Sequence, residues 1–216
     1  MAESFLQLQA KEQSQIYRAL SPQLARSPAV LEKDVWVCWV LQTLFTMSGR
    51  LPMAFKGGTS LSKVFGAINR FSEDVDVTLD YRGLDTSFDP FAEGASKTQL
   101  KKFSEGLKSF VQDHVHSVVV PHFEKILVAE FGKDGYRIEV SADGELLRVH
   151  YPTVLGVSGD YMANSVLIEF GGATSLSQMK STRSARTLLS SSLSWCFLIL
   201  ASASCRQRVP SGRRPR

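Results

Sequence analysis

Residues 55–77 read FKGGTSLSKVFGAINRFSEDVDV, and the order of local patterns in this stretch decides the fold. The short apolar run Leu51–Phe55 leads into the stretch and predicts a β-strand. Gly57 and Gly58 follow at once, and glycine permits a tight turn between a strand and a helix. Thr59–Ile68 then has the apolar spacing of a short helix. The sequence therefore predicts a strand, a glycine turn and a helix in close succession.

A second strand closes the same stretch. Asp74–Leu79 (DVDVTL) alternates polar and apolar residues, which is typical of a strand with one face in the core. Because side chains two apart in a strand point to the same face, Asp74 and Asp76 form a carboxylate pair opposite the apolar residues. Mg²⁺ takes oxygen ligands and keeps several waters, so two or three carboxylates suffice to hold it. We therefore predict a site for Mg²⁺ or Mn²⁺ at this pair.

The glycine turn has the features of a phosphate-binding loop. Glycine lets a phosphate approach the backbone, and amides at a helix N-terminus donate to it. The hydroxyl of Ser60 can add a contact, and Lys56 and Lys63 add positive charge. A GG turn or a DxD pair alone is usually only structural. Their combination, with 13 residues between Ser60 and Asp74, is much more specific.

The remaining patterns place this stretch in an α+β domain with a mixed sheet. Before it, one helix is predicted over residues 4–20, ended by Ser21-Pro22, and another from Ser27-Pro28 to about Met47. After it come a mainly helical segment, a hairpin and a last strand. These are Lys97–Phe131 with a kink at Pro121, Tyr136–Ala142 and Glu145–Tyr151 around Asp143-Gly144, and Ser165–Phe170.

These residues resemble a known family. Lys56–Asp76 looks like the first motif of the DNA polymerase β-like nucleotidyltransferases, and RFSEDVDV is most similar to the AbiEii/AbiGii toxins. LEKDVWVCWVL (Leu31–Leu41), LRVHYP and VLIEFGG resemble other segments of that family, so the resemblance covers residues 28–172. It implies a polymerase β-like core and a nucleotidyltransferase toxin of a type IV toxin–antitoxin or abortive-infection system. Such toxins transfer nucleotides from NTP, in some members to tRNA acceptor ends, and a cognate antitoxin is encoded nearby.

The resemblance also implies roles for single residues. Gly57, Gly58 and Ser60, with their neighbours Lys56, Thr59 and Lys63, match the nucleotide-binding turn, and Asp74 and Asp76 match the catalytic metal pair. The family fold expects a third metal-binding acid on a later strand. Glu169 is our first choice, because it alternates with Val166, Ile168 and Phe170, and Glu139 on the hairpin is its competitor. An RNA, a tRNA or a protein is the implied acceptor.

Composition divides the chain into three parts. N-terminal helices (1–50) are expected to pack on a nucleotidyltransferase core (51–172), followed by a Ser/Arg-rich tail (173–216). The tail has 11 serines, no acidic residue, seven arginines and one lysine, so the first 172 residues hold 17 basic against 21 acidic residues. The basic pI therefore belongs to the tail, which is either disordered or out of frame. Family members continue beyond the third acid, so the alternative is an inactive, truncated remnant that acts as a binding module. A third hypothesis makes the tail a nucleic-acid-binding arm.

Other features indicate no second site. Cys38, Cys196 and Cys205 form no CxxC or paired framework, and no signal peptide or membrane-spanning run is evident, so we predict a reduced, cytoplasmic protein with no membrane partner. The spacing of His114, His116 and His122 fits no standard zinc pattern. Trp36 and Trp39 are predicted to lie in the core. Glu32, Lys33 and Asp34 are predicted to be surface charges of a helix.

Overall fold

The computed structural model describes residues 5–57, 74–80, 93–132, 134, 136–155 and 163–172. The first described elements are a 3₁₀ turn (Phe5–Gln7) and two helices, α1 (Ala10–Leu24) and α2 (Pro28–Thr46). Ser27 caps α2 as predicted, because its side chain accepts a hydrogen bond of 3.3 Å from the Val30 amide. The predicted end of the first helix at Ser21-Pro22 is wrong. α1 continues through Pro22 to Leu24 and ends at Ala25, which has a left-handed φ of 50°.

Five described strands form one mixed sheet, as the sequence predicts. Their bounds are β1 (Met53–Lys56), β2 (Asp74–Leu79), β3 (Arg137–Val140), β4 (Leu146–His150) and β5 (Ser165–Gly172). The order across the sheet is β1-β2-β5-β4-β3. β2 and β5 run parallel, and the other three neighbouring pairs are antiparallel. The last strand of the chain therefore lies between β2 and the hairpin.

The predicted helical segment before the hairpin is almost continuous. It consists of α3 (Lys97–His114), a π-helical turn (Val115–Val119) and α4 (Val120–Phe131). Pro121 lies just after the π-helical turn, and its missing N–H and its ring interrupt the regular backbone hydrogen bonds at this point. The predicted disturbance at Pro121 is therefore a local widening of the helix just before the proline. The hairpin turn has Gly144 at a φ of 67°, as the Asp-Gly signal predicts.

The helices and one face of the sheet share the main core. That face, the inner face, carries the apolar residues of every strand, among them Val75, Val77 and Ile168, each 0% exposed. Helix α2 and the α3–α4 segment cover it. Trp36 and Trp39 are buried there as predicted, and Trp36 stacks on Tyr151 with ring centroids 4.9 Å apart. The opposite, outer face carries the polar residues of the strands.

Three expectations about composition have different outcomes. Glu32 and Lys33 are not surface charges, since each is only 3% exposed. Cys38 is disulfide-bonded, so the expectation of reduced cysteines is wrong at this position. Within the described ranges, no helix combines the length and apolar character needed to cross a bilayer. The 173–216 tail lies outside the described residues.

Candidate functional site

The carboxylate pair of β2 lies on the outer face. Val75, Val77 and Leu79 are fully buried in the core, whereas Asp74 is exposed and Asp76 is partly exposed. The alternation predicted from DVDVTL is therefore present in the structure. The two carboxylates are held by a strand whose other face is fixed in the core, which makes their positions well defined.

Glu169 lies beside this pair. In the parallel pairing of β2 with β5, Asp76 is opposite Glu169 and Asp74 is opposite Leu167. Neighbouring strands are about 4.8 Å apart, so the side chains of Asp76 and Glu169 project side by side from the outer face. Glu169 is exposed, while Ile168 next to it is buried. The structure thus brings the preferred third acid next to Asp76, one member of the predicted pair.

A basic residue completes this row of side chains. Lys56 on β1 is opposite Asp76 in the antiparallel pairing of β1 with β2. Its ammonium also approaches β5, since a Cβ placed on Gly171 would lie 3.5 Å from Lys56 Nζ. Burial raises the pKa of Asp76, the positive charge of Lys56 lowers it, and the negative charge of Asp74 raises it. Burial is the largest of these three effects, so the net result is a raised pKa for Asp76.

Gly57 contacts the same carboxylate. Its φ is 76°, a backbone conformation that favours glycine. A Cβ added at Gly57 would lie 1.9 Å from Asp76 Oδ2. The end of β1 therefore packs directly against the carboxyl group of Asp76. The predicted phosphate turn and the predicted metal pair meet at this contact.

Glu139, the competing third acid, lies elsewhere. It is on β3, which β4 separates from β5. Its carboxylate accepts from His150 Nε2 at 2.9 Å and pairs with Arg137 Nη2 at 2.8 Å. The hydrogen bond from His150, chiefly, lowers the pKa of Glu139. The structure does not bring Glu139 together with Asp76.

The rest of the nucleotide turn cannot be placed. Gly58, Thr59, Ser60 and Lys63 lie outside the described residues, as does the helix predicted over Thr59–Ile68. Their roles remain predictions from the sequence. Only Lys56 and Gly57 of this set are described, and both contact or face Asp76.

The carboxylates suit a hard divalent cation in chemistry and in placement on one face. Asp74, Asp76 and Glu169 offer only oxygen ligands, which Mg²⁺ and Mn²⁺ prefer. A bound cation would favour the ionised form of Asp76, whose pKa is raised mainly by burial and further by the charge of Asp74. Over the described ranges, however, no three His, Cys, Asp or Glu side chains are gathered closely enough to form a metal-binding group. The same holds for the histidines, of which His114 is buried and His116 is exposed.

Sequence reasoning missed several outer-face residues. Arg148 on β4 lies in one row with Leu167 and Asp74, two strands from the carboxylate pair. His150 lies one row further along β4, opposite Arg137. Leu146 is opposite Glu169 and is 41% exposed. The alternation of LRVHYP was the available signal, but it does not reveal which strand lies beside β5.

Comparison with known proteins gives one family. The family model described as "Nucleotidyl transferase AbiEii toxin, Type IV TA system" matches residues 39–194, more than half of the chain. The match begins within α2, includes every described strand and extends beyond Gly172. No curated protein and no solved structure matches the chain.

Proposed function

Because this chain belongs to the AbiEii nucleotidyltransferase toxin family of type IV toxin–antitoxin systems, we propose that it transfers a nucleotide from an NTP to an RNA acceptor with the help of Mg²⁺ or Mn²⁺. The observation that carries this proposal is the row Lys56, Asp76 and Glu169 across three adjacent strands. It combines two carboxylates and a cation on the outer face of the sheet.

In the proposed reaction, Asp74, Asp76 and Glu169 would hold the metal. When bound, the metal lowers the pKa of the attacking hydroxyl and neutralises charge on the pyrophosphate that leaves. The rigid support of β2 and β5 keeps the carboxylates in place while the substrates exchange. Lys56 balances part of their negative charge and, being flexible, can turn to the triphosphate. Three carboxylates of this kind are the proposed catalytic residues.

The triphosphate is proposed to bind at the turn that follows β1. Gly57 and Gly58 allow a phosphate to approach the backbone, and the amides of Thr59 and Ser60 donate to it. Lys63, three residues after Ser60 in the sequence, would add a positive charge. The contact between Gly57 and Asp76 supports this arrangement, because phosphates bound at the turn would lie close to a metal held by Asp76.

The part of the outer face formed by β4 and β3 favours an RNA acceptor over a protein, because it carries basic side chains. Arg148 lies on β4, on the side of the carboxylates away from Lys56. Arg137 and His150 lie on β3 and β4, and both contact the carboxylate of Glu139. Arg148 is two strand spacings, roughly 10 Å, from the backbone of Asp74. The guanidinium of Arg148, at this distance, can hold a phosphate of an acceptor strand whose terminal hydroxyl would lie at the metal. The exposed Leu146 beside Glu169 offers an apolar surface to a base.

A second candidate function is a non-catalytic binding module. It is favoured by the observation that, in the described part of the chain, no three metal-binding side chains are gathered into one group. In this case the domain would bind its antitoxin or another partner without transferring nucleotides. The role of the 173–216 tail and the cytoplasmic location remain predictions in either case.

Labelled nucleotide distinguishes the two candidates. The full chain is incubated with RNA, Mg²⁺ or Mn²⁺ and each NTP labelled at the α-phosphate. Label should enter RNA, whereas the same NTP labelled at the γ-phosphate should give none, because that label leaves with pyrophosphate. Asp74→Ala and Asp76→Ala should abolish transfer while circular dichroism stays unchanged. Transfer by these variants equal to that of the wild type would contradict the proposal. A folded wild type that labels neither RNA nor protein would support the binding module.

A further inference from the structure

Two adjacent charged residues are buried near the start of α2. Glu32 and Lys33 are each 3% exposed, in a helix whose other buried residues are almost all apolar. Burying a carboxylate and an ammonium is costly unless each finds good partners. Their partners in the structure therefore indicate what these charges do.

Glu32 binds the chain just after β4. One carboxylate oxygen accepts from Thr153 Oγ1 at 2.7 Å, and the other accepts from the Val154 amide at 2.8 Å. The hydroxyl oxygen of Thr153 in turn accepts from the Leu155 amide at 3.2 Å. Both oxygens of Glu32 are thus used to fix the beginning of the β4–β5 connection. Burial is the main cause of its raised pKa, which agrees with this enclosed position.

Lys33 binds the chain just before β5. Its Nζ donates to the carbonyl oxygen of Ala163 at 3.3 Å. The two ends of the connection are also joined directly, because the Tyr151 amide donates to the Asn164 carbonyl at 3.0 Å. Neighbouring residues of one helix therefore hold both ends of the connection between β4 and β5.

This attachment precedes the strand that carries Glu169. β5 begins at Ser165, two residues after Ala163, and runs without interruption to Glu169 opposite Asp76. The pairing register of a strand shifts as a whole, so a shift of the start of β5 would move Glu169 along β2. In many proteins, apolar side chains in place of buried charged residues stabilise the fold equally well. Directed hydrogen bonds, by contrast, fix one position of the attached backbone.

We propose that Glu32 and Lys33 are positioning residues that hold the start of β5, so that Glu169 stands in register with Asp76 at the metal site. This rests on the proposed function for the role of Glu169. The attachment itself acts on the backbone and does not require any substrate. The consequence for the reaction would be a higher affinity of the proposed site for its metal, although neither Glu32 nor Lys33 contacts the metal.

The test measures how nucleotide transfer depends on Mg²⁺ concentration. Glu32→Ala should raise the Mg²⁺ concentration for half-maximal transfer by about 10-fold or more, as residues that orient metal ligands do. Thr153→Val removes one of the same hydrogen bonds from the other side and should shift it in the same direction. Glu32→Gln keeps an acceptor for the Val154 amide and should restore most of the wild-type value. Leu127→Ala, a core change in α4, should lower thermal stability without moving the half-maximal concentration.

Hydrogen exchange gives a second readout that needs no activity. The amides of Val166–Phe170 should exchange faster in Glu32→Ala than in Leu127→Ala, when the two are compared at equal free energy of unfolding. If Glu32→Ala does not fold, Thr153→Val takes its place. Unchanged exchange there, together with an unchanged Mg²⁺ dependence, would overturn the positioning role. Faster exchange in a chain that transfers no nucleotide would support the attachment of β5 and count against the proposed function alone.

Discussion

Asp76 on β2 and Glu169 on β5 are direct cross-strand neighbours, although they lie far apart in the sequence. The parallel pairing sets both carboxylates at the same level of the outer face, and Lys56 extends the row on the other side of Asp76. Two like charges on adjacent strands destabilise each other unless a cation lies between them. This relationship makes Glu169, rather than Glu139, the acid to test as the third ligand.

The first prediction compares these two acids. Glu169→Gln should reduce nucleotide transfer by more than about 100-fold. Loss of a direct metal ligand should exceed the roughly 10–100-fold effect of losing a residue that only orients a ligand. Glu139→Gln should change transfer little, because Glu139 lies two strands away from Glu169 and its carboxylate contacts His150 and Arg137 instead. Initial rates at saturating NTP measure both. A larger loss in Glu139→Gln than in Glu169→Gln would reverse the assignment.

The second prediction concerns stability of the core between α2 and the sheet. Trp36 stacks on Tyr151 and also contacts Phe131 and Tyr136. Trp36→Ala should therefore lower the free energy of unfolding by about 3–5 kcal/mol. Val128→Ala, at a position that is 45% exposed on α4, should change it by less than about 0.5 kcal/mol. Urea denaturation followed by circular dichroism measures both, and equal effects would contradict the packing described for Trp36.

Local patterns predicted most of the individual elements. The alternation of Asp74–Leu79 gave the strand and its buried face, and the Asp-Gly signal gave the hairpin. Ser27-Pro28 marked the start of α2. These features depend on neighbours within a few residues, so they are visible in one sequence. The family resemblance rests on the same stretch and agrees with the family match.

Long-range features could not be predicted in the same way. The position of β5 between β2 and β4 decides that Glu169 is beside Asp76, and no local pattern contains that order. Glu32 was expected at the surface because glutamate is rarely buried without a partner. Its partners Thr153 and Val154 lie more than 100 residues away and could not be recognised in advance. The buried charges and the strand order therefore both required the structure.

The third prediction uses the pKa of Glu32, which burial raises above its ordinary value. The folded state then holds the proton more tightly than the unfolded state, so the stability from this group is complete below pH about 4.3. It is lost as the pH rises through the folded-state pKa. The difference in free energy of unfolding, wild type minus Glu32→Gln, should therefore fall from pH 4 towards pH 7. Denaturation curves at several pH values measure it, and a difference that stays constant or rises would contradict the raised pKa.

The last prediction tests the contact of Gly57 with Asp76. Gly57 and Gly49 have nearly equal φ values, 76° and 77°, so an alanine at either position meets similar backbone strain, of order 1–3 kcal/mol. They differ in their surroundings: a Cβ at Gly49 meets nothing within 4 Å, whereas a Cβ at Gly57 would lie 1.9 Å from Asp76 Oδ2. Gly57→Ala must therefore displace the carboxylate of Asp76 and should lower transfer at least about 10-fold more than Gly49→Ala. Unfolding experiments separate the shared strain from this effect, and equal losses of transfer in the two variants would show that the contact is not needed for the reaction.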